Sequence, residues 1–232
     1  MGPLALVGSG EYTPAMLEVE RGLIAGRPPR YVQIPTAASA EGQARIEYWI
    51  GLGRAQAARL GVESVPLDVR SREDAHDPAI VAQVTGAGLI YLSGGSPTLL
   101  SRTLRDTPLW SAIVQAWEGG AALAGCSAGA MAMAASVPDL RHPRHGAEAG
   151  LGLLPHIRVL PHFDRMLGWV PDVLTRPFFR ESGVHVVGID EDTAIVGGPE
   201  SFTVHGRQSA WLLSDGKRRE FKPGTDITLP KQ

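Results

Sequence analysis

Short apolar runs rich in β-branched residues alternate with longer helical segments along most of this chain. Such an alternation predicts a mostly parallel sheet with helices on both faces, because parallel neighbours need a crossover connection and the helices then cover the sheet. Glycine, serine or proline follows several of these runs, as at 8–10, 35 and 93–95, where the strands are expected to end. The predicted strands are 4–7, 31–34, 62–69, 88–92, 121–124, 157–160 and 184–189.

Helical patterns occupy the connections between these strands. The predicted helices are 16–24, 41–60, 79–84, a segment beginning at Pro97, 110–117, 127–135 and a segment beginning at Asp164. Toward the end of the chain, three short runs at 194–196, 201–204 and 210–213 predict a closing antiparallel meander, with turns at 197–198 and 215–216. The whole is expected to form a single α/β domain over 1–232.

Composition narrows the class of function. The chain has 232 residues, 44% of them hydrophobic, and a formal charge of −2. That balance argues against a nucleic-acid partner and for one sizeable core. No run resembles a signal peptide or a membrane span, so a cytoplasmic protein without membrane contact is expected. The single cysteine excludes an internal disulfide framework and a cysteine-rich zinc site, and no convincing metal ligand set or cofactor motif is found.

The most informative motif is the strand, sharp turn and helix around Ser127. Its sequence, Gly125-Cys126-Ser127-Ala128-Gly129, has the small-x-nucleophile-x-small pattern of a nucleophile elbow. In that motif a strained backbone presents the nucleophile, and neighbouring chain comes so close that small residues are needed on either side. The N–H of Ala128 is then placed to receive an oxyanion.

Cys126 is the competing nucleophile, because it too has small flanking residues. A cysteine on such an elbow would indicate a hydrolase of the glutamine amidotransferase type. A shift of one position, however, turns Cys126 from the apex toward the strand, where it would be a small buried side chain.

His162 is the histidine best placed to serve as a base. It follows predicted strand 157–160 and precedes a helix, so it lies at the carboxyl end of a strand, where open parallel sheets build their sites. His142 and His145 lie in a segment that reads more readily as a solvated loop, and their spacing is a weak indication of metal binding.

An orienting carboxylate has four candidates. Asp190, Glu191 and Asp192 follow predicted strand 184–189, and Asp139 lies after the predicted elbow helix. A carboxylate in this position would hold the imidazole and stabilise its protonated form. Spacing alone does not choose among the four.

Four segments together resemble the peptidase E / cyanophycinase family of serine peptidases. They occur in the order of that family and span roughly residues 90 to 195, and the segment around Ser127 is the most specific. The segments are YLSGG at 91–95, AGCSAGA at 124–130, GLGLLP at 150–155 leading to PHF at 161–163, and GIDEDTA at 188–194.

The resemblance implies a flavodoxin-like or class I glutamine amidotransferase-like sheet and hydrolysis of short peptides or isopeptide-like bonds by a Ser-His-Glu triad. Residue by residue, it places the nucleophile on Ser127, the base on His162 and the orienting acid on Glu191. It also implies that Gly95 supplies a second oxyanion N–H beside that of Ala128.

Substrate choice is suggested by departures from the family. Cyanophycinases carry Asp-Gln before the catalytic histidine and an arginine-rich helix after it, whereas here Leu-Pro precedes His162, so cyanophycin is not the expected substrate. The aspartyl dipeptidase branch carries Asn-Pro-His, of which this chain keeps the proline and lacks the asparagine. Arg165, Arg176 and Arg180 are candidates to hold a peptide carboxylate.

The sequence therefore predicts a serine exopeptidase for short peptides, of either the carboxypeptidase or the aspartyl dipeptidase kind. A hydrolase that depends on Cys126 and a catalytically silent binding domain of the same fold are the alternatives. Apolar side chains near Trp110 and Trp117 could pack in the core or in a homo-oligomer.

Overall fold

This computed structural model describes residues 1–138, 146–166, 183–214 and 217–231. Its strands form two sheets and a short hairpin. In chain order the strands are β1 (Leu4–Val7), β2 (Arg30–Ile34), β3 (Glu63–Pro66), β4 (Leu89–Leu92), β5 (Ala122–Cys126), β6 (Ser136–Pro138), β7 (Ala147–Ala149), β8 (Ile157–Leu160), β9 (His185–Ile189), β10 (Thr193–Gly197), β11 (Ser201–Gly206), β12 (Ala210–Ser214), β13 (Lys217–Phe221) and β14 (Asp226–Thr228). Among the described residues, eight strands form the main sheet in the order β14-β11-β10-β1-β5-β4-β2-β3.

Helices cover the main sheet on both faces, as the alternating pattern predicts. They are α1 (Pro14–Ile24), α2 (Gln43–Leu60), α3 (Pro78–Ala82), α4 (Pro97–Leu104), α5 (Pro108–Glu118), α6 (Ala128–Ala132) and α7 (Phe163–Met166), with short 3₁₀ segments at Thr36–Glu41 and Asp74–His76. None of these described helices is both long and apolar enough to cross a lipid bilayer.

Alternate residues of β1 face opposite sides of the main sheet. In β1, Leu4 and Leu6 belong to the core cluster that also holds apolar residues of α4 and α5, while Ala5 and Val7 belong to the cluster with α1 and α2. Successive side chains of a strand point to opposite faces, so a strand buried on both sides reads as a continuous apolar run. Strands β1 to β5 pair in parallel, which confirms the predicted fold class.

The C-terminal strands are antiparallel, but they divide between two sheets. Strands β10, β11 and β14 extend the main sheet next to β1. Strand β12 instead pairs with β9 and β13 in a second sheet, of order β13-β12-β9-β8, so the predicted antiparallel strands are present but are divided between two sheets. Leu160, Val186 and Leu213 of this sheet are buried with Phe163 in a separate apolar cluster, so the second sheet covers apolar surface of its own. The predicted turn at 215–216 lies outside the described residues.

A carboxyl group is buried between the sheet and the helical layer of α1 and α2. Glu20 on α1 is 1% exposed; its Oε2 accepts a hydrogen bond from Tyr31 at 3.2 Å, and its Oε1 has no hydrogen-bond partner among the described residues. Burial raises the pKa of Glu20 to about 7, because the ionised form loses its hydration there. Folding is therefore coupled to protonation of Glu20.

This coupling predicts the pH dependence of stability. The contribution of Glu20 to the free energy of unfolding should be fully present below about pH 4.5 and should be lost as pH rises to about 7, because the unfolded chain releases this proton first. Glu20→Gln should remove that decline, a difference on the order of 1–3 kcal/mol at pH 7. Urea unfolding of both proteins between pH 4.5 and 8 measures it. Glu18→Gln on the exposed side of α1 is the matched control and should keep the decline; equal slopes in wild type and Glu20→Gln would contradict the coupling.

Candidate active site

Ser127 lies at the junction of β5 and α6 in a backbone conformation that a non-glycine residue rarely adopts. Its φ is +49° and its ψ is −105°. Small residues make this turn possible: a Cβ added at Gly125 would lie 2.6 Å from the backbone carbon of Gly129, and one at Gly129 would lie 2.2 Å from the carbonyl oxygen of Leu92. The Ser127 N–H donates to the Val7 carbonyl at 2.9 Å, which ties the turn to β1. The strain is thus held by close packing on three sides.

His162 follows β8 and faces Ser127 across the carboxyl ends of the strands. Its Nε2 is 3.1 Å from Ser127 Oγ, and its Nδ1 is 3.1 Å from Glu191 Oε1. The backbone of His162 also has a positive φ, +48°, and its carbonyl begins the short helix α7 by accepting from Arg165 and Met166. The structure therefore brings three predicted site residues into one hydrogen-bonded line.

The neighbouring acids point elsewhere. Asp190 accepts from the Ser209 N–H at 3.2 Å and from Trp211 Nε1 at 3.0 Å, and burial raises its pKa. Asp192 accepts from Thr13 Oγ1 at 3.3 Å and lies 3.6 Å from an arginine nitrogen. Of these three adjacent acids, Glu191 is the one whose carboxylate contacts His162. Asp139, the fourth candidate, lies outside the described residues.

Glu191 is held by groups from two elements. Its Oε2 lies 2.7 Å from Arg165 Nε, and its backbone N–H donates to Asp164 Oδ1 at 3.0 Å. Gln208 Nε2 donates to both the Glu191 carbonyl, at 3.0 Å, and Asp164 Oδ2, at 3.2 Å. Arg165 was expected to bind a substrate carboxylate, and the structure shows its guanidinium against the carboxylate of Glu191.

Backbone N–H groups are available beside the Ser127 hydroxyl. Neither the N–H of Gly95 nor that of Ala128 donates a hydrogen bond to another described residue. Gly95 has φ +140°, and a Cβ there would lie 2.3 Å from the Ala37 carbonyl oxygen, so glycine is required. Ala128 is the first residue of α6 and is 1% exposed. The first N–H groups of a helix have no partner within the helix, which leaves such donors free for a ligand.

Cys126 is the last residue of β5 and is fully buried. Its Sγ lies 2.8 Å from Glu11 Oε2, and burial together with that carboxylate raises the pKa of the thiol well above its ordinary value. The thiolate, which is the nucleophilic form, is therefore disfavoured at this position.

Ser127 and His162 open into a cleft of about 810 Å³. Its described lining includes Gly95, Ser96 and Pro97 from the start of α4, and Val137 and Gly146 on either side of the β6–β7 hairpin connection. Among the described lining residues, Glu41 and Glu148 are carboxylates, and none is a lysine or an arginine. A cleft of this size encloses a short ligand.

Some predicted residues cannot be placed, and some residues of the site were not predicted. Arg176 and Arg180, as well as His142 and His145, lie outside the described residues. Within the described ranges, no group of three or more His, Cys, Asp or Glu side chains is arranged to hold a metal ion. Glu11 was missed, although it follows the glycine turn after β1, at the sheet edge where sites of parallel folds gather.

Comparison with known proteins identifies the family of the chain and several similar proteins. The model of the family described as peptidase family S51 matches residues 4–204. A cyanophycinase of Nostoc sp. (strain PCC 7120) is 34% identical over 149 residues, which cover 59% of this chain and 48% of that protein. Peptidase E of Streptomyces coelicolor is 27% identical over 172 residues, 70% of each chain. The chain spans about half the length of the curated cyanophycinases that it matches.

Solved structures agree with the sequence relatives. The crystal structure of a peptidase from an acI-B1 actinobacterium matches with a TM-score of 0.89 and 43% identity, covering 98% of this chain and 97% of that one. A structure described as a putative peptidase E from Listeria monocytogenes has a TM-score of 0.65 at 18% identity, and this match supports the fold alone.

Proposed function

Because the chain belongs to peptidase family S51, we propose that it is a serine exopeptidase that cleaves short peptides with Ser127, His162 and Glu191. Ser127 is the nucleophile, His162 the general base and acid, and Glu191 the acid that orients the imidazole. The observation that carries the proposal is the position of His162, whose two ring nitrogens are each 3.1 Å from one of the other two residues.

The geometry supports each proton transfer of this reaction. With Nδ1–H donating to Glu191, Nε2 can accept the hydroxyl proton of Ser127 as Oγ attacks the scissile carbonyl carbon. Collapse of the tetrahedral intermediate breaks the C–N bond, and the imidazolium of His162 gives its proton to the leaving amine. Water then attacks the acyl-enzyme with the same base, and the second product leaves with a carboxylate as Ser127 regains its proton.

The oxyanion of both tetrahedral intermediates would be stabilised by the N–H groups of Gly95 and Ala128. Both donors are unengaged among the described residues; Gly95 lies in the turn after β4, and Ala128 follows Ser127 as the first residue of α6. Fixed donors at a site shielded from water stabilise developing charge without reorganising, and losing one such donor costs on the order of 10²–10³ in kcat.

The two alternatives to a serine mechanism have weaker support. A nucleophilic role for Cys126 requires a thiolate, and burial beside Glu11 opposes it. A silent binding domain would have no need for a strained serine held against a histidine and a carboxylate in line.

Charge in the cleft favours recognition of the amino end of the substrate. Glu41 pairs with Arg45 at 3.2 Å and Glu148 with Arg102 at 2.6 Å, and neither arginine is among the described lining residues. A peptide in the cleft therefore meets two carboxylates, each already paired with an arginine, and no described lining cation, so an ammonium group is accommodated there more readily than a carboxylate. A carboxylate anchor formed by Arg165, Arg176 or Arg180 is the alternative to this assignment.

Replacing the nucleophile should abolish turnover without unfolding the protein. We expect Ser127→Ala to lower kcat by on the order of 10⁶, since a triad nucleophile contributes that much in a serine peptidase. A fluorophosphonate probe, located by mass spectrometry, should label Ser127 in the wild type and nothing in the variant. Full hydrolysis by Ser127→Ala would exclude the serine mechanism, and loss of activity on alkylation of Cys126 with no label on Ser127 would favour the thiol.

The acid can be tested with its own neighbour as the control. Glu191→Gln should lower kcat by on the order of 10²–10⁴, because the neutral amide no longer fixes the tautomer of His162 or stabilises its protonated form. Asp192→Asn changes the next residue by the same chemistry at a carboxylate that contacts Thr13 and Arg207, and should stay near wild-type kcat. If the two variants lose equal activity, Glu191 is not the orienting acid.

Peptides with blocked ends test the direction of binding. Acetylating the amino terminus of di- and tripeptides should reduce kcat/KM much more than amidating the carboxyl terminus, because the ammonium faces Glu41 and Glu148. Glu148→Gln should narrow that difference. The opposite ranking, with amidation the more damaging, would show that a cation holds the substrate carboxylate.

A further inference from the structure

The carboxylate of Glu11 connects the two turns that carry the oxyanion donors. Its Oε1 accepts from the Gly94 N–H at 3.0 Å, and its Oε2 accepts from Cys126 Sγ at 2.8 Å. Gly94 precedes Gly95, and Cys126 precedes Ser127. We propose that Glu11 is a positioning residue for hydrolysis at Ser127: by accepting from the Gly94 N–H it fixes the Ser93–Gly94 peptide, from which the chain continues directly to the Gly95 donor, relative to the serine. This inference rests on the proposed function.

The contacts fit a carboxylate placed for this purpose. Glu11 follows the glycine turn after β1, Gly94 lies after β4 and Cys126 ends β5, and these three strands are neighbours in the sheet. One side chain thus joins three adjacent strand ends. A Cβ added at Gly94 would lie 2.6 Å from Glu11 Oε1 and 3.7 Å from Ser127 Cβ, which shows how closely the carboxylate approaches the turn.

Tyr12, the residue after Glu11, makes a similar connection in the interior of the protein. Tyr12 OH is 2.7 Å from Ser93 Oγ and accepts from Gln33 Nε2 at 2.9 Å, and all three residues are buried. The Tyr12 carbonyl accepts from Arg59 Nη2 at 2.8 Å. Residues 11 and 12 therefore bind residues 94 and 93 in register, so Glu11 does not act from a free loop.

A glycine pair needs such a restraint. Gly94 and Gly95 have no side chains to limit their backbone rotation, and Gly95 adopts a φ of +140° that is held by its surroundings. The bond from the Gly94 N–H to Glu11 orients the plane of the Ser93–Gly94 peptide and so the Cα of Gly94. The peptide that carries the Gly95 N–H begins at that Cα. Catalytic donors are effective only at the right place, and displacement by about 1 Å costs on the order of 10²-fold.

The inference also gives Cys126 a role. A buried thiol whose pKa is raised stays protonated and can donate its S–H to Glu11 throughout turnover. Serine at this position would keep a donor of similar size, whereas alanine would lose it. Comparing Cys126→Ser with Cys126→Ala therefore distinguishes the effect of the hydrogen bond to Glu11 from the effect of side-chain packing.

The experiment measures the second-order rate of Ser127 labelling by a fluorophosphonate probe, together with kcat and KM for the best dipeptide. Glu11→Ala should reduce the labelling rate and kcat by about 10–100-fold with little change in KM. Glu11→Gln retains an oxygen acceptor for Gly94 and should recover most of the rate. Cys126→Ser should label faster than Cys126→Ala. Glu18→Ala, at an exposed carboxylate of α1, is the matched control and should equal the wild type.

Each outcome is decisive. If the wild type is not labelled at Ser127, the proposed function fails and the role of Glu11 fails with it. If the wild type is labelled and folded Glu11→Ala reacts within about twofold of it, the role of Glu11 is wrong and the serine mechanism stands. Equal losses in Glu11→Gln and Glu11→Ala would also overturn it, because charge rather than hydrogen bonding would then matter. If circular dichroism shows Glu11→Ala unfolded, the two Cys126 variants decide: equal labelling rates overturn the proposal.

Discussion

The close approach of the β5–α6 turn to the neighbouring strands is the constraint on which the site depends. Gly129 packs on the Leu92 carbonyl at the end of β4, and Gly125 packs on the backbone of Gly129. No side chain larger than hydrogen fits at either position without moving backbone, and Ser127 lies between them with a positive φ. The same contact brings the end of β4, with Gly94 and Gly95, beside the serine. The Ser127 hydroxyl and the backbone N–H donors therefore lie close together because β4, β5 and α6 pack against one another at glycine residues.

Four carboxylates lie near this turn, and their partners give them different tasks. Glu191 faces His162, which can carry a positive charge. Glu11 accepts from an N–H and a thiol, so it is satisfied without a counter-ion. Asp190 accepts from Ser209 and Trp211 at the start of β12, and Asp192 accepts from Thr13, which precedes α1. All four residues are carboxylic acids, so their chemical type does not distinguish them. They differ in the groups from which each one accepts hydrogen bonds.

The sequence predicts the parallel part of the fold well, because local patterns determine it. Strand β1 at Leu4–Val7 and strand β8 at Ile157–Leu160 agree with the predicted bounds, since each is a buried run that ends at a residue which breaks the ladder. The destination of β12 was not predictable in this way, because Ala210–Ser214 has the pattern of a strand in either sheet. Its pairing with β9 depends on contacts with residues far away in the chain, since Leu213 is buried with Leu160 and Val186, and Trp211 packs partly buried against this cluster. The role of Glu11 was not predicted for a similar reason, because the residues that it binds are 83 and 115 positions away in the chain.

The position of the acid follows from how the two sheets are joined. Ile189 still pairs with β12 in the second sheet, and Thr193 already pairs with β11 in the main sheet, so three residues cross between them. The first, Asp190, is fixed to the second sheet through Ser209 and Trp211, and the last, Asp192, contacts Thr13 beside β1. With both ends of the crossing fixed, the middle residue has little freedom to move. Its side chain points away from these two anchors and meets His162, which itself follows β8 of the second sheet. The distance between Glu191 and His162 therefore depends on the ends of β8 and β9 and on this crossing, whereas the distance between His162 and Ser127 depends on how the second sheet lies against the main one.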